Sequence, residues 1–433
     1  MNIAMLSYHT CPLATLGGKD TGGMNVYVAE LTRHLGQLDV HVDVFTRSQD
    51  EHVPHVLHNL GYGNRVVHIP AGPEIPLPKA ELVKYIPAFV NGILDFTGQK
   101  GLRYDLIHSH YWMSGLAAEQ LQMVWKTPIV QMFHTLGLMK NCIARSPEEM
   151  EIPARPDAER RILKLVDRII AATPAEKSQL EFLYHADSAK LVVIPPGVDT
   201  SRFYPIPKDE ARAVIELPPD GQMVLFVGRM DPLKGLDTLL HALAFIKNSH
   251  RLDCCPHYLA IIGGDPAESD ENLNRDMLRV KQLSSSLGLN DIVLFLGRRS
   301  QESLPYYYSA ADVVVMPSHY ESFGMVALEA MACGTPVIAS QVGGLPFLVQ
   351  DGVTGFVVPN GEPELLGEHL VKLLIDPELR TRLGEKGADI ARDYSWNVIA
   401  RQIYAVYQEV MDNANVSRMT PYKTGTGQGR KSI

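Results

Sequence analysis

The sequence predicts an α/β protein made of two doubly wound, Rossmann-like domains facing each other across a cleft. Two series of alternating apolar strands and amphipathic helices point to parallel sheets. A proline-rich break separates them, with Pro195, Pro196, Gly197, Pro205, Pro207, Pro218 and Pro219 in one short span. The length of 433 residues exceeds what one ordinary core supports. Residues 1–198 are therefore assigned to an N-terminal domain and 199–395 to a C-terminal domain. A helix over 396–412 is expected to pack back on the first domain. The polar tail 413–433 is expected to be disordered.

The first series opens with the apolar run Asn2 to Ser7, followed by a Gly/Thr-rich loop from His9 to Gly23. A helix with Val26, Val28, Leu31 and Leu35 on one face follows. Further strands are expected at 40–46, 105–109, 128–133, 168–172 and 190–194. Helices are expected at 79–96, from Met113, at 147–166 and from Pro174, a residue suited to a first helical turn. The span from Gln49 to Pro78 lacks periodicity and reads as irregular. The second series has strands at 223–227, 257–262, 292–296 and 312–316, with helices from Gly235, Glu271 and Gln301. It ends in the stretch MPSHYESFGMVALEAMACGTPVIA, Met316 to Ala339, read as strand, polar turn, helix and buried strand.

Composition narrows the function classes. With 45% apolar and 21% charged residues this is an ordinary globular chain. A net charge of −9 argues against a broad nucleic-acid surface. The five cysteines are scattered and form no CxxC pair, so neither a zinc site nor a disulfide framework is expected. MNIAMLSYH has no basic n-region, and no window approaches a membrane span. A cytoplasmic protein without membrane association is the expectation; oligomeric state is unread, with a homodimer left open.

Four motifs carry chemistry. In FVGRMDPLKG, Arg229 and Lys234 emerge beside a helix start, a combination suited to a diphosphate. Alone, the two are as readily solvated surface cations. There is no GxxxxGK[ST] loop, so an NTPase is disfavoured. Glu321 and Glu329 bracket the polar turn and the following helix; if helical throughout they lie ~12 Å apart, too far to share a proton. Glu329 has apolar neighbours, and a buried glutamate needs a partner; a ribose diol would serve. Gly22 and Gly23 would let a ligand approach the backbone, although they do not match GxGxxG. Finally, His9, Tyr111, His134 and Thr135 stand at strand ends, with Lys79 and Arg155 placed to reach the same edge. His108 and His110 alternate around Ser109, yet no carboxylate or cysteine completes a metal set.

Together these motifs resemble the retaining glycosyltransferases of family 4, which have the GT-B fold. The Met316–Ala339 stretch resembles that family's EX7E signature, and GRMDPLKG its diphosphate site. The similarity runs to about Met411. Within the family, the N-terminal half is most similar to the inositol-phosphate N-acetylglucosaminyltransferases of mycothiol synthesis. It shares GGMNVYV, HSHYWMSG, an FHTL segment followed by Lys140 and Asn141, and LPK at Leu77 to Lys79. The resemblance implies a nucleotide-sugar donor, with UDP-N-acetylglucosamine or UDP-glucose first and GDP-mannose open, and a small phosphorylated acceptor. Gly22, Gly23, Arg229, Lys234, Glu321, Ser322, Phe323, Gly324 and Glu329 would bind the donor. His9, Asn25, Lys79, Tyr111, Thr135 and Arg155 would bind the acceptor. His134, Arg229, Lys234 and Glu321 would act at the reacting centre. Family enzymes generally need no metal for chemistry; Mg2+ is not readable, and no DxD motif is present, though Asp265 and Asp270 flank a candidate.

MFHTLGLMK and the loop Ala14 to Asp20 depart from the closest subgroup. Sucrose-phosphate synthases, which hold fructose 6-phosphate with cations in the same cleft, therefore remain an alternative. A lipid-acceptor mannosyltransferase would want a basic amphipathic patch. The five cations from Arg155 to Arg168 are interrupted by Asp157, Glu159 and Asp167. A non-catalytic nucleotide-sugar binder is opposed by the intact Arg229, Lys234 and Glu321. A phosphorylase-like enzyme would need pyridoxal phosphate.

Overall fold

The computed structural model describes residues 1–14, 22–144, 147–217, 221–252, 256–264 and 271–419. Asp265, Asp270 and most of the loop from Ala14 to Asp20 lie outside these residues. The N-terminal strands are β1 (Asn2–Leu6), β2 (His41–Arg47), β3 (Val56–Leu57), β4 (Arg65–Ile69), β5 (Leu106–His110), β6 (Ile129–Met132), β7 (Arg168–Ala171) and β8 (Leu191–Val193). They form one sheet in the order β3-β4-β2-β1-β5-β6-β7-β8. Its pairings are parallel, as in Ile3 to Val42 and Ile3 to Leu106, apart from the antiparallel β3–β4 edge. The C-terminal strands are β9 (Gln222–Val227), β10 (His257–Ile262), β11 (Val293–Gly297), β12 (Val313–Met316), β13 (Val337–Ser340) and β14 (Gly355–Val358). They give a parallel sheet ordered β11-β10-β9-β12-β13-β14.

Each order reverses once, between β1 and β5 in the first sheet and between β9 and β12 in the second. At such switch points the loops leaving the strand ends diverge and open a crevice for ligands. Helices cover both sheet faces, so the central strands are buried along most of their length, while the edge strands β3 and β11 are half-buried. Ile3, Met5, Val44 and Leu106 are fully buried, as are Val224, Leu259, Val313 and Ile338.

The span Gln49 to Pro78 is not irregular, contrary to the sequence expectation. Arg65–Ile69 pairs in parallel with β2, and Val56–Leu57 adds an edge to it. These strands are short and flank Gly61 and Gly63, with a proline-rich segment after β4, which left no period to detect. The helix expected over 79–96 is three pieces: Lys79–Leu82, a 3-10 turn at Val83–Tyr85, and Ile86–Lys100 with Pro87 in its first turn. The helix expected over 147–166 shrinks to Ala154–Leu165, after a 3-10 turn at Pro147–Glu149. A helix at Gly137–Ile143, strand β14, and helices Pro363–Ile375 and Pro377–Ala391 were not anticipated.

The last helix, Trp396–Met419, runs beyond the expected end at 412, so the start of the supposed disordered tail is helical. Residues 420–433 lie outside the described residues. This helix packs on Gly23–Gly36 of the first domain. Trp396 meets Tyr27 edge-on with centroids 5.3 Å apart, and the Tyr407 hydroxyl lies 2.6 Å from His108 Nδ1. The chain thus crosses between domains twice, after β8 and at Ser395. Val198 forms a bridge with Ser395; its N–H donates to Tyr394 O at 2.8 Å and its carbonyl accepts from Trp396 at 3.2 Å. Gly197 lies flush against Trp396, where a Cβ would come within 2.7 Å of the indole.

Candidate functional site

The C-terminal half of the cleft is built from the loops after β9 and β12. After β9, Gly228 donates to Ile262 O at 3.0 Å and the chain turns through Arg229 into a 3-10 turn at Pro232–Lys234. Gly235 has φ +65°, and a Cβ there would lie 1.9 Å from Pro317 O. Only glycine allows this close approach, which joins the two loops. His319 N–H then donates to Leu233 O at 2.8 Å. The result is an ion pair between Lys234 Nζ and Glu321 Oε2 at 2.5 Å. Arg229, 42% exposed, lies 3.5 Å from Asp231. Gly343, at φ +51°, lies against the Glu321 carbonyl, leaving no room for a Cβ (1.7 Å).

Glu321 is not on the helix that carries Glu329. That helix is Met325–Ala332, preceded by Gly324 at φ +109°. The ~12 Å axial spacing expected for a continuous helix therefore does not apply: Glu321 sits on the loop and Glu329 below it. Glu329 is buried and already has a protein partner, the Tyr308 hydroxyl, which donates to Oε2 at 2.7 Å. Burial pushes its carboxyl up to about 7, against the lowering effect of hydrogen bonds from Tyr308 and Gln301. A cavity of about 200 Å³ runs past this carboxylate. Arg229, Lys234, Arg298, Arg299 and Glu329 line it from the second domain, and Gly22 and Gly23 from the first. A Cβ on Gly23 would stand 3.3 Å from Met325 Sδ, so the glycine sets how closely the domains approach here. Ser322 faces Tyr320, hydroxyl to hydroxyl at 3.5 Å, and Phe323 is buried against Tyr394.

The N-terminal half gathers around Tyr111, directly after β5. His9 lies against its ring with centroids 4.4 Å apart, Lys79 Nζ is 5.8 Å from the ring centre, and the Arg155 guanidinium 4.8 Å. Arg47, fully buried, places Lys79 indirectly. It donates to Ala71 O at 2.9 Å and Ile75 O at 3.1 Å, fixing the segment that leads into the Lys79 helix. Arg155 is buried and uses every guanidinium direction. Nε donates to Glu159 (2.8 Å), Nη1 to Tyr111 (3.1 Å) and Glu151 (2.7 Å), and Nη2 to the Thr135 carbonyl (2.7 Å) and hydroxyl (2.9 Å). Lys140 joins the cluster through Glu151 at 2.8 Å. Asn25 instead braces the loop after β1: it donates to Thr10 and the Cys11 carbonyl and accepts from Gly22 N–H.

Tyr111 (φ 74°) and His134 (φ 62°) both hold positive backbone angles. For bulky residues this is strained, and such strain collects at functional sites. His134 is half-buried, and desolvation drops its pKa to about 3, so its ring is neutral at physiological pH. Its Nε2 lies 3.0 Å from His110 Nδ1, which ties it to the aromatic cluster under the C-terminal helix. Between the domains, Thr173 and Glu176 face Tyr320, Glu321 and Ser322 around a small void. Glu176 is buried, and burial lifts its pKa to about 7.

Sequence reasoning missed Tyr308, Arg298, Arg299, Glu176 and Glu151 as site residues. Each reaches the cleft through long-range packing. The only local signal was the charge density of MEIPARPDAER around Glu151.

Two cations on the loop after β9, at one switch point, facing a cationic cluster at another, fit a two-domain glycosyltransferase cleft of the GT-B type. Residues 207–389 match the family described as glycosyl transferases group 1, and residues 21–202 match Glycosyltransferase Family 4. The chain belongs to the family 4 glycosyltransferases. Among its relatives is a D-inositol 3-phosphate glycosyltransferase of Streptomyces bingchenggensis, 41% identical over 420 residues, covering 94% of this chain and 89% of the relative. The protein of the same name from Actinosynnema mirum is 39% identical, covering 95% and 97%. Among solved structures, the sucrose-phosphate synthase of Thermosynechococcus elongatus aligns with a TM-score of 0.86 at 36% identity, over 95% of this chain and 99% of that one. Anabaena HepE with UDP and glucose, at 21% identity and TM-score 0.71 over 94% and 100%, shares the fold. Among the described residues, no helix is long and apolar enough to cross a membrane.

Proposed function

We propose that this enzyme transfers a sugar from a nucleotide-sugar donor to a small phosphorylated polyol or sugar, inositol phosphate first, with retention at the anomeric carbon. The observation that carries the acceptor is the convergence of Lys79, Lys140 and Arg155 around Tyr111. Within the protein the cluster pairs with Glu151 and Glu159, and a phosphate monoester reaching it would meet the charge-assisted donors that such cations offer. The names of the inositol-phosphate relatives support the same acceptor class.

In this reading Glu329 accepts from the donor's ribose hydroxyls, beside the backbone of Gly22 and Gly23. Arg229 and Lys234 meet the diphosphate, Lys234 exchanging its contact with Glu321 for a phosphate oxygen. Glu321, with Ser322, Phe323 and Gly324 beside it, is then free to accept from the sugar hydroxyls. His134, neutral and strained, stands beside the reacting carbon as a hydrogen-bonding group rather than a cation. His9 borders the acceptor ring, and Asn25 holds the loop that carries it. Among the described residues no carboxylate stands as a covalent nucleophile, so the two-carboxylate glycosidase scheme does not fit. Front-face attack follows: the acceptor hydroxyl bonds to the anomeric carbon as the bond to the leaving diphosphate breaks. The leaving phosphate oxygen takes the hydroxyl proton, and Arg229 and Lys234 stabilise its charge. This scheme needs no metal.

A second reading, sucrose-phosphate synthesis from UDP-glucose and fructose 6-phosphate, is favoured by the 36% identity and 0.86 TM-score to such a synthase. A donor-by-acceptor activity grid with NMR of the products separates the two. Equal turnover of inositol and inositol phosphate would defeat the phosphate-pocket reading, and an inverted anomeric product would defeat front-face attack.

A further inference from the structure

His134 is held from beneath by a second imidazole that is shut off from solvent. His110, the last residue of β5, is fully buried, and its Nδ1 lies 3.0 Å from His134 Nε2. The two rings are tilted against each other with centroids 5.2 Å apart. The Tyr27 ring packs edge-on against both, 5.6 Å from His110 and 5.2 Å from His134, and itself rests on Trp396 of the last helix at 5.3 Å. The His134 ring is thus fixed by one nitrogen and by its aromatic neighbours, on a backbone held at φ 62°.

The place of the protons follows from burial. Desolvation keeps both rings neutral: it pushes the His110 pKa well down, with His108 and His134 lowering it further, and takes that of His134 to about 3. Two neutral imidazoles joined by one hydrogen bond hold one proton between them. If that proton belonged to His134 Nε2, His110 would carry its own proton on Nε2. That atom is buried and has no hydrogen-bond partner. A buried N–H without an acceptor is rarer than a buried acceptor without a donor. His110 Nδ1 therefore donates and His134 Nε2 accepts, which leaves the proton of His134 on Nδ1. Among the described residues nothing binds that nitrogen, and His134 is partly exposed just beyond the end of β6.

We propose that His110 is a positioning residue that fixes His134 in its Nδ1–H form, so that His134 presents a hydrogen-bond donor, and not an acceptor, to an oxygen of the donor sugar. This rests on the reading of His134 as a group at the reacting centre. The form matters to the front-face scheme. A bare Nδ1 would compete for the proton of the acceptor hydroxyl, which in that scheme goes to the leaving phosphate. An N–H leaves this transfer alone and holds the sugar in place. The packing also gives the last helix a share in the site, because Trp396 supports Tyr27 and Tyr27 supports both imidazoles.

The test is long-range 1H–15N NMR of the full-length protein labelled with 15N-histidine, in which the two ring forms give different two-bond coupling patterns. The signals of His134 are those lost in His134→Gln. They should show a protonated Nδ1 and a bare Nε2. In His110→Phe, which keeps a ring but has no donor, the proton should move to Nε2 or average over both nitrogens. Its kcat should fall on the order of tenfold, while the KM for the acceptor stays close to the parent's. His110→Asn, whose amide donates from the place of Nδ1, should keep the parent form and most of kcat. A parent protein with the proton on Nε2 would overturn the proposal. So would a His110→Phe protein that melts within a few degrees of the parent and keeps Nδ1–H. If His110→Phe does not fold, the other two spectra decide, and Nε2–H in either the parent or His110→Asn overturns it. A ring form that follows His110 as stated, with kcat at the parent value throughout, would remove His134 from the reacting centre and refute the catalytic half of the proposal.

Discussion

Donor binding should titrate with Glu329. Its carboxyl is buried in the wall of the cleft cavity and lifted to about 7 by desolvation, with Tyr308 and Gln301 pulling it down only in part. As a carboxylate it accepts from hydroxyl groups; as an acid it loses acceptor capacity. If the ribose of the donor needs the ionised form, binding and deprotonation are linked. About a tenth of the sites are ionised at pH 6 and about nine tenths at pH 8, so the Kd of a nucleotide sugar should be roughly tenfold weaker at pH 6, or about 1.4 kcal/mol. The diester-linked diphosphate of an intact nucleotide sugar has no proton of its own to lose in this window. The assay is calorimetric titration of UDP-glucose or UDP-N-acetylglucosamine at pH 6, 7 and 8 at constant ionic strength. Glu329→Gln should bind more weakly at pH 8 by about 1–3 kcal/mol and show a flat profile. Glu176→Gln, which alters the other buried acid near 7, should keep the slope. An equal slope in Glu329→Gln and the parent protein would refute the assignment of Glu329 to the ribose.

The buried acids also set a stability window. The folded-state pKa of Glu176 lies above its ordinary value of 4.5, so its contribution is fully present below pH 4.5 and lost as pH rises through about 7. Relative to Glu176→Gln, the parent should therefore lose up to about 3 kcal/mol between pH 4.5 and 8, read by denaturant melts; a constant difference would contradict this. Lys234→Glu should reduce kcat by 10² or more in steady-state assays, because it sets a negative charge against both Glu321 and the leaving phosphate; an unchanged kcat would remove Lys234 from the diphosphate site. Gly235→Ala should destabilise by several kcal/mol in thermal melts, since its Cβ would collide with Pro317 O. EDTA should leave turnover unchanged once protein and substrates are metal-free, and a loss restored by Mg2+ would oppose the metal-free scheme.

The parts of the fold legible in sequence are those with local period. β1, the Gly23–Gly36 helix and the β9 and β12 units each carry an apolar run long enough to register, and each ends in glycine or proline. β4 was not legible, because Val66, Val67 and Ile69 are few and their burial comes from β2 and the 86–100 helix rather than from neighbours in sequence. Among the candidate site residues, Arg229, Lys234, Glu321 and Glu329 could be singled out because they sit in one loop and one strand–turn–helix unit. The partners that give them their chemistry could not. Tyr308 reaches Glu329 from another helix, and Glu151 reaches Lys140 across a turn whose course no pattern predicts. A period shows which face is buried; it does not show which polar groups meet there.

The pairing of Val198 with Ser395 has a mechanical consequence. Because the outgoing and returning chains are hydrogen-bonded side by side, the domains share a single fulcrum rather than two separate straps. Any swing between them has its smallest arc at Gly197 and Trp396 and its largest across the far lips of the crevice. In the proposed reading, donor and acceptor would meet across a crevice whose pivot neither of them touches. A cut through only one of the two connections would leave the other to carry the load, and the nicked molecule would remain one particle.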